Sequence, residues 1–189
     1  MARPLSPEKR KALLLSAVNA VAELGVLAST ASIARGAGVA EGTLFTYFET
    51  KEVLLQELYL HVKQGLADVV MPGYPHKADY RDRVQHVFQR YVDWGLSHRA
   101  ERSALGRLSA SGLILEDTRI RGMESMQTIA TMMEQAVEDG AFIDAPMGLL
   151  SSVIEDIAGR TIEYVERFPK DTARHRQLGF RMTWEAIKA

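Results

Sequence analysis

The chain is expected to be all-α, with a small N-terminal group of helices followed by a larger helical part, about nine helices in total. Three observations carry this. Apolar residues recur every three or four positions from Leu14 to Trp184. No stretch alternates apolar and polar residues between hairpin turns. Residues 29–51, STASIARGAGVAEGTLFTYFETK, read as two short helices about a glycine turn, with a third helix opening behind them.

The first helix opens at Ser6-Pro7-Glu8: serine caps, proline suits the first helical position and glutamate complements the helix dipole. Leu14, Ala17, Val18 and Val21 form its apolar stripe, and Gly25 ends it. The second helix starts at Ser29 and stops before Gly38, in the turn Ala37-Gly38-Val39, where a positive φ lets the next helix leave steeply. The third covers residues 40–47. The fourth opens at Thr50-Lys51-Glu52 and carries Leu54, Leu55, Leu58, Tyr59, Val62, Leu66 and Val69 to about Val70. Met71-Pro72-Gly73-Tyr74-Pro75 breaks the pattern. Further helices are expected over 77–97, 99–110, one long helix within 113–139, then 146–168, and from about 171 to the end. Leu178, Met182 and Trp184 are the core candidates of the last, and Thr161 interrupts the stripe of the one before it.

With 189 residues and 47% hydrophobic residues, the chain can bury a substantial core. No apolar run reaches the ~18–20 residues of a membrane span, and the start, MARPLSPEKRK, lacks the apolar stretch of a signal peptide. No cysteine is present, which excludes disulfides and thiolate metal sites. A cytoplasmic location is the expectation.

Between residues 29 and 51, Ile33, Ala34, Ala37, Val39, Leu44 and Phe48 are spaced to form a small core under two crossed helices. The other face carries Thr30, Arg35, Glu41, Thr43, Thr46, Tyr47 and Lys51, groups suited to phosphates and base edges. The pattern is a helix-turn-helix. The formal net charge of −1 is low for a nucleic-acid binder. Residues 1–48 carry Arg3, Lys9, Arg10, Lys11 and Arg35 against Glu8, Glu23 and Glu41, a net of +2. Hydroxyls and helix-start amides are therefore expected to share the phosphate contacts.

Ile33-Ala34, Ala37-Gly38-Val39, Gly42-Thr43-Leu44-Phe45, Tyr47-Phe48 and Lys51-Glu52 occur in the order and spacing of a known family. The chain resembles the TetR/AcrR family of transcriptional regulators over residues 8–60; the rest matches in helix count alone. The resemblance implies a DNA-binding domain at 1–50 (motif 29–48), a connecting helix at 51–70 and a ligand-binding and dimerisation domain at 75–189. It implies that Ser29 and Thr30 touch phosphate, that Glu41, Gly42 and Thr43 lie near base edges, and that Tyr47 and Lys51 contact phosphate. Arg35 and Thr46 are further candidates. Glu41 could accept from a cytosine amino group, or be solvated or paired with a neighbour. The sequence departs from the family with Val21, with Ser32, which weakens a capping box, and with Phe45, which offers no hydroxyl.

In the C-terminal part, Phe88, Tyr91, Trp94, Met123, Met126, Met132, Met133, Phe142 and Met147 supply soft or aromatic groups. They either fill a helical core or, as the resemblance implies, line a cavity between helices five to eight; Phe88, Tyr91, Trp94, Met123, Met126, Met133 and Met147 are the pocket candidates, with His86 and Arg121 as polar members. Ala158, Gly159, Ile162, Val165, Phe180 and Trp184 are the candidates for a dimer interface. Dimerisation is expected because one short helix reads too few base pairs. The histidines His61, His76, His86, His98 and His175 form no metal-binding pair, and no phosphate loop or nucleophile elbow occurs. No catalytic residue, metal or cofactor is expected.

The expected function is a homodimeric, ligand-responsive regulator, most simply a repressor released from a palindromic operator by a small, apolar molecule. Its partners are double-stranded operator DNA, that effector and a second copy, with no membrane. An activator is the alternative within the class; a helical small-molecule-binding protein or enzyme with a degenerate DNA-binding domain is the alternative outside it.

Overall fold

The computed structural model describes residues 5–189, so Arg3 lies outside the described residues. Among the described residues ten α-helices follow one another: α1 (Pro7–Leu24), α2 (Thr30–Gly36), α3 (Glu41–Tyr47), α4 (Lys51–Val70), α5 (Tyr80–Ser97), α6 (Arg99–Ala110), α7 (Glu116–Glu124), α8 (Gln127–Glu138), α9 (Met147–Arg167) and α10 (Thr172–Ile187). Among the described residues, the extended pairing consists of one bridge, Phe142 with Lys188. The fold is the expected all-α one, with one helix more than the expected nine. The long helix placed within 113–139 is two helices. They part at Ser125-Met126, where Met126 leaves helical geometry with φ −123° and ψ 19°. Periodicity alone cannot register such a break, because the apolar spacing resumes after it.

The chain divides into two compact units. The first holds the chain up to Gly65 together with His98–Ser125, and the second holds Leu66–Ser97 and Met126–Ala189. The first unit thus includes α6 and α7, which a linear division at residues 50 and 75 assigns to the C-terminal part.

In the first unit, α1 packs on α2 and α6. Leu13, Leu14, Ala17, Val18 and Val21 form its buried face. The α1–α2 crossing is close: Ser16 Oγ donates to the Ile33 carbonyl at 2.7 Å, and a Cβ on Gly36 would overlap that hydroxyl. Gln56 of α4 holds the α6–α7 connection from both sides, donating to the Leu113 carbonyl at 3.0 Å and accepting from the Leu115 N–H at 3.1 Å.

The second unit is built on α5, α9 and α10. Phe88, Val92, Met132, Ala136, Phe142, Ala158, Ile162, Phe180 and Ile187 are core residues. The helices α9 and α10 meet at Thr161 and Gly179, where a Cβ on the glycine would overlap the threonine hydroxyl. That hydroxyl donates back to the Ile157 carbonyl at 2.8 Å, so the polar break in the α9 stripe is buried and satisfied. Met182, expected in the core, is 60% exposed. The buried face of α10 is instead Gly179, Phe180, Thr183 and Ile187.

Candidate nucleic-acid interface

The geometry of residues 29–51 follows from local chemistry. Ser29 caps α2 by accepting the Ser32 N–H at 3.1 Å. The Ser32 hydroxyl turns back to the Ser29 carbonyl at 2.7 Å, in place of the reach to the Ser29 amide that an acid at position 32 would make. α2 ends in a pair of bonds that reuse its last carbonyls: Gly38 N–H to Arg35 O at 3.0 Å and Val39 N–H to Ala34 O at 3.0 Å. This closure needs a left-handed residue, and Gly38 has φ +70°. Beneath the turn, Ile33, Ala34, Leu44 and Phe48 are buried, while Ala37 and Val39 are half-buried.

The face away from this core is open. Ser29, Arg35, Glu41, Gly42 and Thr46 are exposed, and Thr30, Thr43, Tyr47 and Lys51 are half-buried. A Cβ on Gly42 would meet nothing within 4 Å, so packing inside the chain does not require glycine there. The Thr46 hydroxyl donates to the Gly42 carbonyl at 3.1 Å. Thr30 and Glu41 are joined across the two helices, Thr30 Oγ1 donating to Glu41 Oε1 at 2.5 Å. Glu41 is thus exposed and at the same time tethered to α2. Phe45 is 42% exposed on the same helix.

Contacts absent from the sequence reading tie this group to its surroundings. The Tyr47 hydroxyl accepts the Ser6 N–H at 3.1 Å. Arg10 pairs with Glu57 at 2.5 Å and lies over the Phe48 ring, 5.4 Å from its centroid. Of the three adjacent cations at the start of α1, Arg10 is thus engaged within the chain, while Lys9 and Lys11 are exposed. Thr50 caps α4 by accepting the Val53 N–H at 3.2 Å, which leaves Lys51 as the first residue of a 20-residue helix.

Residues 13–58 match the family profile described as bacterial regulatory proteins, tetR family. The whole chain matches the crystal structure of a putative tetR family transcription regulator from Shewanella sp. PV-4 with a TM-score of 0.85 and 26% identity, covering 96% of this chain and 98% of that one. Residues 13–58 are thus a TetR-family N-terminal domain, and the chain has the fold of TetR-family regulators. It is 23% identical over 141 residues to the uncharacterized HTH-type transcriptional regulator YhgD of Bacillus subtilis, covering 72% of this chain and 71% of that protein. It also shares its fold with the regulator FadR from Bacillus subtilis in complex with stearoyl-CoA, at TM-score 0.68 and 18% identity, over 94% of this chain and 99% of that one. The matched proteins are transcriptional regulators, and the helix-turn-helix within the matched residues is a DNA-binding element.

The candidates outside the motif are dispersed. Phe88 and Met133 sit inside the core of the second unit, and Tyr91 and Met147 pack against it. Trp94 is buried, and Met126 is half-buried at the start of α8. Met123 belongs to the first unit and is 49% exposed. His86 Nε2 lies 2.9 Å from the Val70 carbonyl. Arg121 lines a small polar cleft of about 190 Å³ beside Lys63, Gln64 and Glu124. A larger apolar groove of about 440 Å³ lies along α9 and α10, lined by Ile157, Thr161, Tyr164, His175, Leu178 and Met182 among others, and by none of the seven pocket candidates.

The dimer candidates are mostly buried within the chain itself. Ala158, Ile162, Val165 and Phe180 are at most 5% exposed, so they pack the second unit's own core and have little surface left for a partner. Trp184 is half-buried against that core, with its ring centroid 6.1 Å from that of Phe142. Gly159 is half-buried, with open space where a Cβ would point. The exposed large apolar residues of these helices are Leu149, Tyr164 and Met182, with Phe168 just past the end of α9. An amphipathic helix turns its strongly periodic apolar side to its own core, and a weaker second side carries little periodic signal. Beside that second side, His175 Nδ1 is buried without a hydrogen-bond partner, and its ring lies 5.8 Å from that of Tyr164.

Proposed function

We infer that this TetR-family regulator works as a homodimeric repressor in the cytoplasm, reading a palindromic operator and leaving it when a small apolar molecule binds the C-terminal domain. The open face of α2 and α3 carries the DNA part of this reading. Tyr47, Lys51, Ser29 and Arg35 reach phosphates; Gly42, Thr43 and Glu41 stand at the base edges, and Thr46 flanks them. The open space at Gly42 supports close approach by an outside body. Lys51, at the start of a long helix, adds a full charge to a terminus that already favours anions.

A second copy is required because one seven-residue helix reads too short a site for specific binding. The exposed side of α9 and α10, with Tyr164, Met182 and the apolar groove between them, is the favoured dimer face. The unpartnered His175 nitrogen beside it supports burial by a partner that brings a hydrogen-bonding group.

The effector is assigned to the C-terminal domain, 75–189. The methionines and aromatics of that domain, and the stearoyl-CoA held by a protein of the same fold, support an apolar effector. An effector that prefers one arrangement of the dimer lowers DNA affinity, and by linkage DNA lowers effector affinity by the same factor. The test is a gel-shift assay on the intergenic DNA upstream of the chain's own gene. Specific, salt-sensitive binding supports the reading; binding that ignores sequence at moderate salt contradicts it.

A further inference from the structure

We propose that Glu41 is a base-reading residue that selects cytosine at one position in each operator half-site, and that Thr30 is the positioning residue that aims it. The inference rests on the DNA-binding reading of α2 and α3 and deepens it.

An acid on a surface that faces a polyanion costs affinity on every sequence, through repulsion by phosphates. Glu41 is exposed at the first position of α3, next to Gly42, whose open side admits a close neighbour. Its side chain is held from another helix by the 2.5 Å hydrogen bond from Thr30. That bond restrains a flexible side chain and occupies one lone pair of Oε1. Oε2 and the remaining lone pairs stay free to accept.

A carboxylate only accepts. In the major groove cytosine offers the N4 amino donor, guanine offers two acceptors, thymine offers an acceptor and a methyl group, and adenine pairs its donor with an adjacent acceptor. Cytosine is therefore the base that an aimed carboxylate favours most cleanly. The general repulsion then becomes discrimination: sites without the amino group keep the repulsion and gain nothing.

The experiment is selection of duplexes from a randomised pool by the full-length chain, its Glu41→Gln variant and its Thr30→Val variant, followed by salt titrations on the selected duplex. The unsubstituted chain is expected to fix cytosine at one symmetric position. Changing that pair should cost the unsubstituted chain about tenfold in affinity and the Glu41→Gln chain little. The salt slope should be the same for all three, because no lysine or arginine that neutralises a phosphate is removed. Thr30→Val should relax the same position to a smaller extent.

Identical base preferences for the unsubstituted and Glu41→Gln chains would overturn the inference while leaving the DNA-binding reading intact. So would a Glu41→Gln chain that binds every duplex more tightly by one common factor. A Thr30→Val chain that binds every duplex more weakly by one common factor, with unchanged base preference, would overturn the positioning role. A chain that selects no duplex overturns the DNA-binding reading, and this inference with it.

Discussion

The Tyr47 hydroxyl accepts the backbone N–H of Ser6 at 3.1 Å, so the last residue of α3 holds the start of α1. The bond uses one lone pair and leaves the hydroxyl hydrogen free to donate, as a phosphate contact requires. Tyr47→Phe removes both. The expected outcome is weaker binding to operator and unrelated DNA alike, with a loss of about 1 kcal/mol in stability from the missing hydrogen bond. Fluorescence anisotropy and urea unfolding read the two effects separately. An unchanged affinity would mean that the hydroxyl serves the chain alone.

Lys51→Ala should weaken binding uniformly across sequences and make the slope of log affinity against log salt shallower by about one unit per subunit. Thermal unfolding should change little, since the residue is half-buried in the first turn of α4 and the Thr50 cap remains. A sequence-dependent loss would place Lys51 at a base rather than a phosphate.

At the α9–α10 crossing, Gly179→Ala drives a methyl group into the Thr161 hydroxyl and against Phe88. A cost of about 1–3 kcal/mol is expected from overpacking. Thr161→Ala should cost less by itself and should recover part of the loss when combined with Gly179→Ala. Strict additivity in urea unfolding would show that the two residues do not meet.

The motif was legible because its chemistry is local: a cap at Ser29, a left-handed glycine at position 38 and apolar residues at fixed offsets. The second unit was legible only as helices. Which side of α9 faces inward depends on α5 and α10, and nothing near Ala158 or Ile162 in sequence announces that those helices cover them. The Gln56 clamp on residues 113 and 115 and the Arg10–Glu57 pair were hidden for the same reason, joining positions dozens of residues apart. Gly179 and Thr161 are a small residue on one helix and a polar interruption on another, and neither explains itself without its partner.

Burial holds the His61 imidazole below the usual value of 6.5, and the nearby Arg10 and Lys11 charges push it the same way against the opposing pull of Glu101. The native state then binds fewer protons than the unfolded chain, so this group's linkage makes stability rise with pH. Stability should fall as pH drops through the ordinary imidazole range toward the lower native value, and it should be indifferent to His61 well above 6.5. His61→Gln should flatten that part of a stability–pH profile measured by urea unfolding between pH 5 and 8. A profile unchanged by the substitution would assign the slope to other groups.

Dimerisation through the outer side of α9 and α10 predicts that Tyr164→Glu or Met182→Glu yields a folded monomer. Both side chains are more than half exposed, so the substitutions should leave the chain's own core intact. Sedimentation reads the mass and circular dichroism the helix content. A dimer that survives both changes would put the interface elsewhere.

The most direct measurement is a hydroxyl-radical footprint of the protein on the intergenic DNA upstream of its gene, at moderate salt. The account predicts two symmetric protected half-sites, about one helical turn apart or a little more, that fade together when Lys51 is replaced by Ala. Uniform protection along the duplex, or a single unpaired half-site, would contradict it.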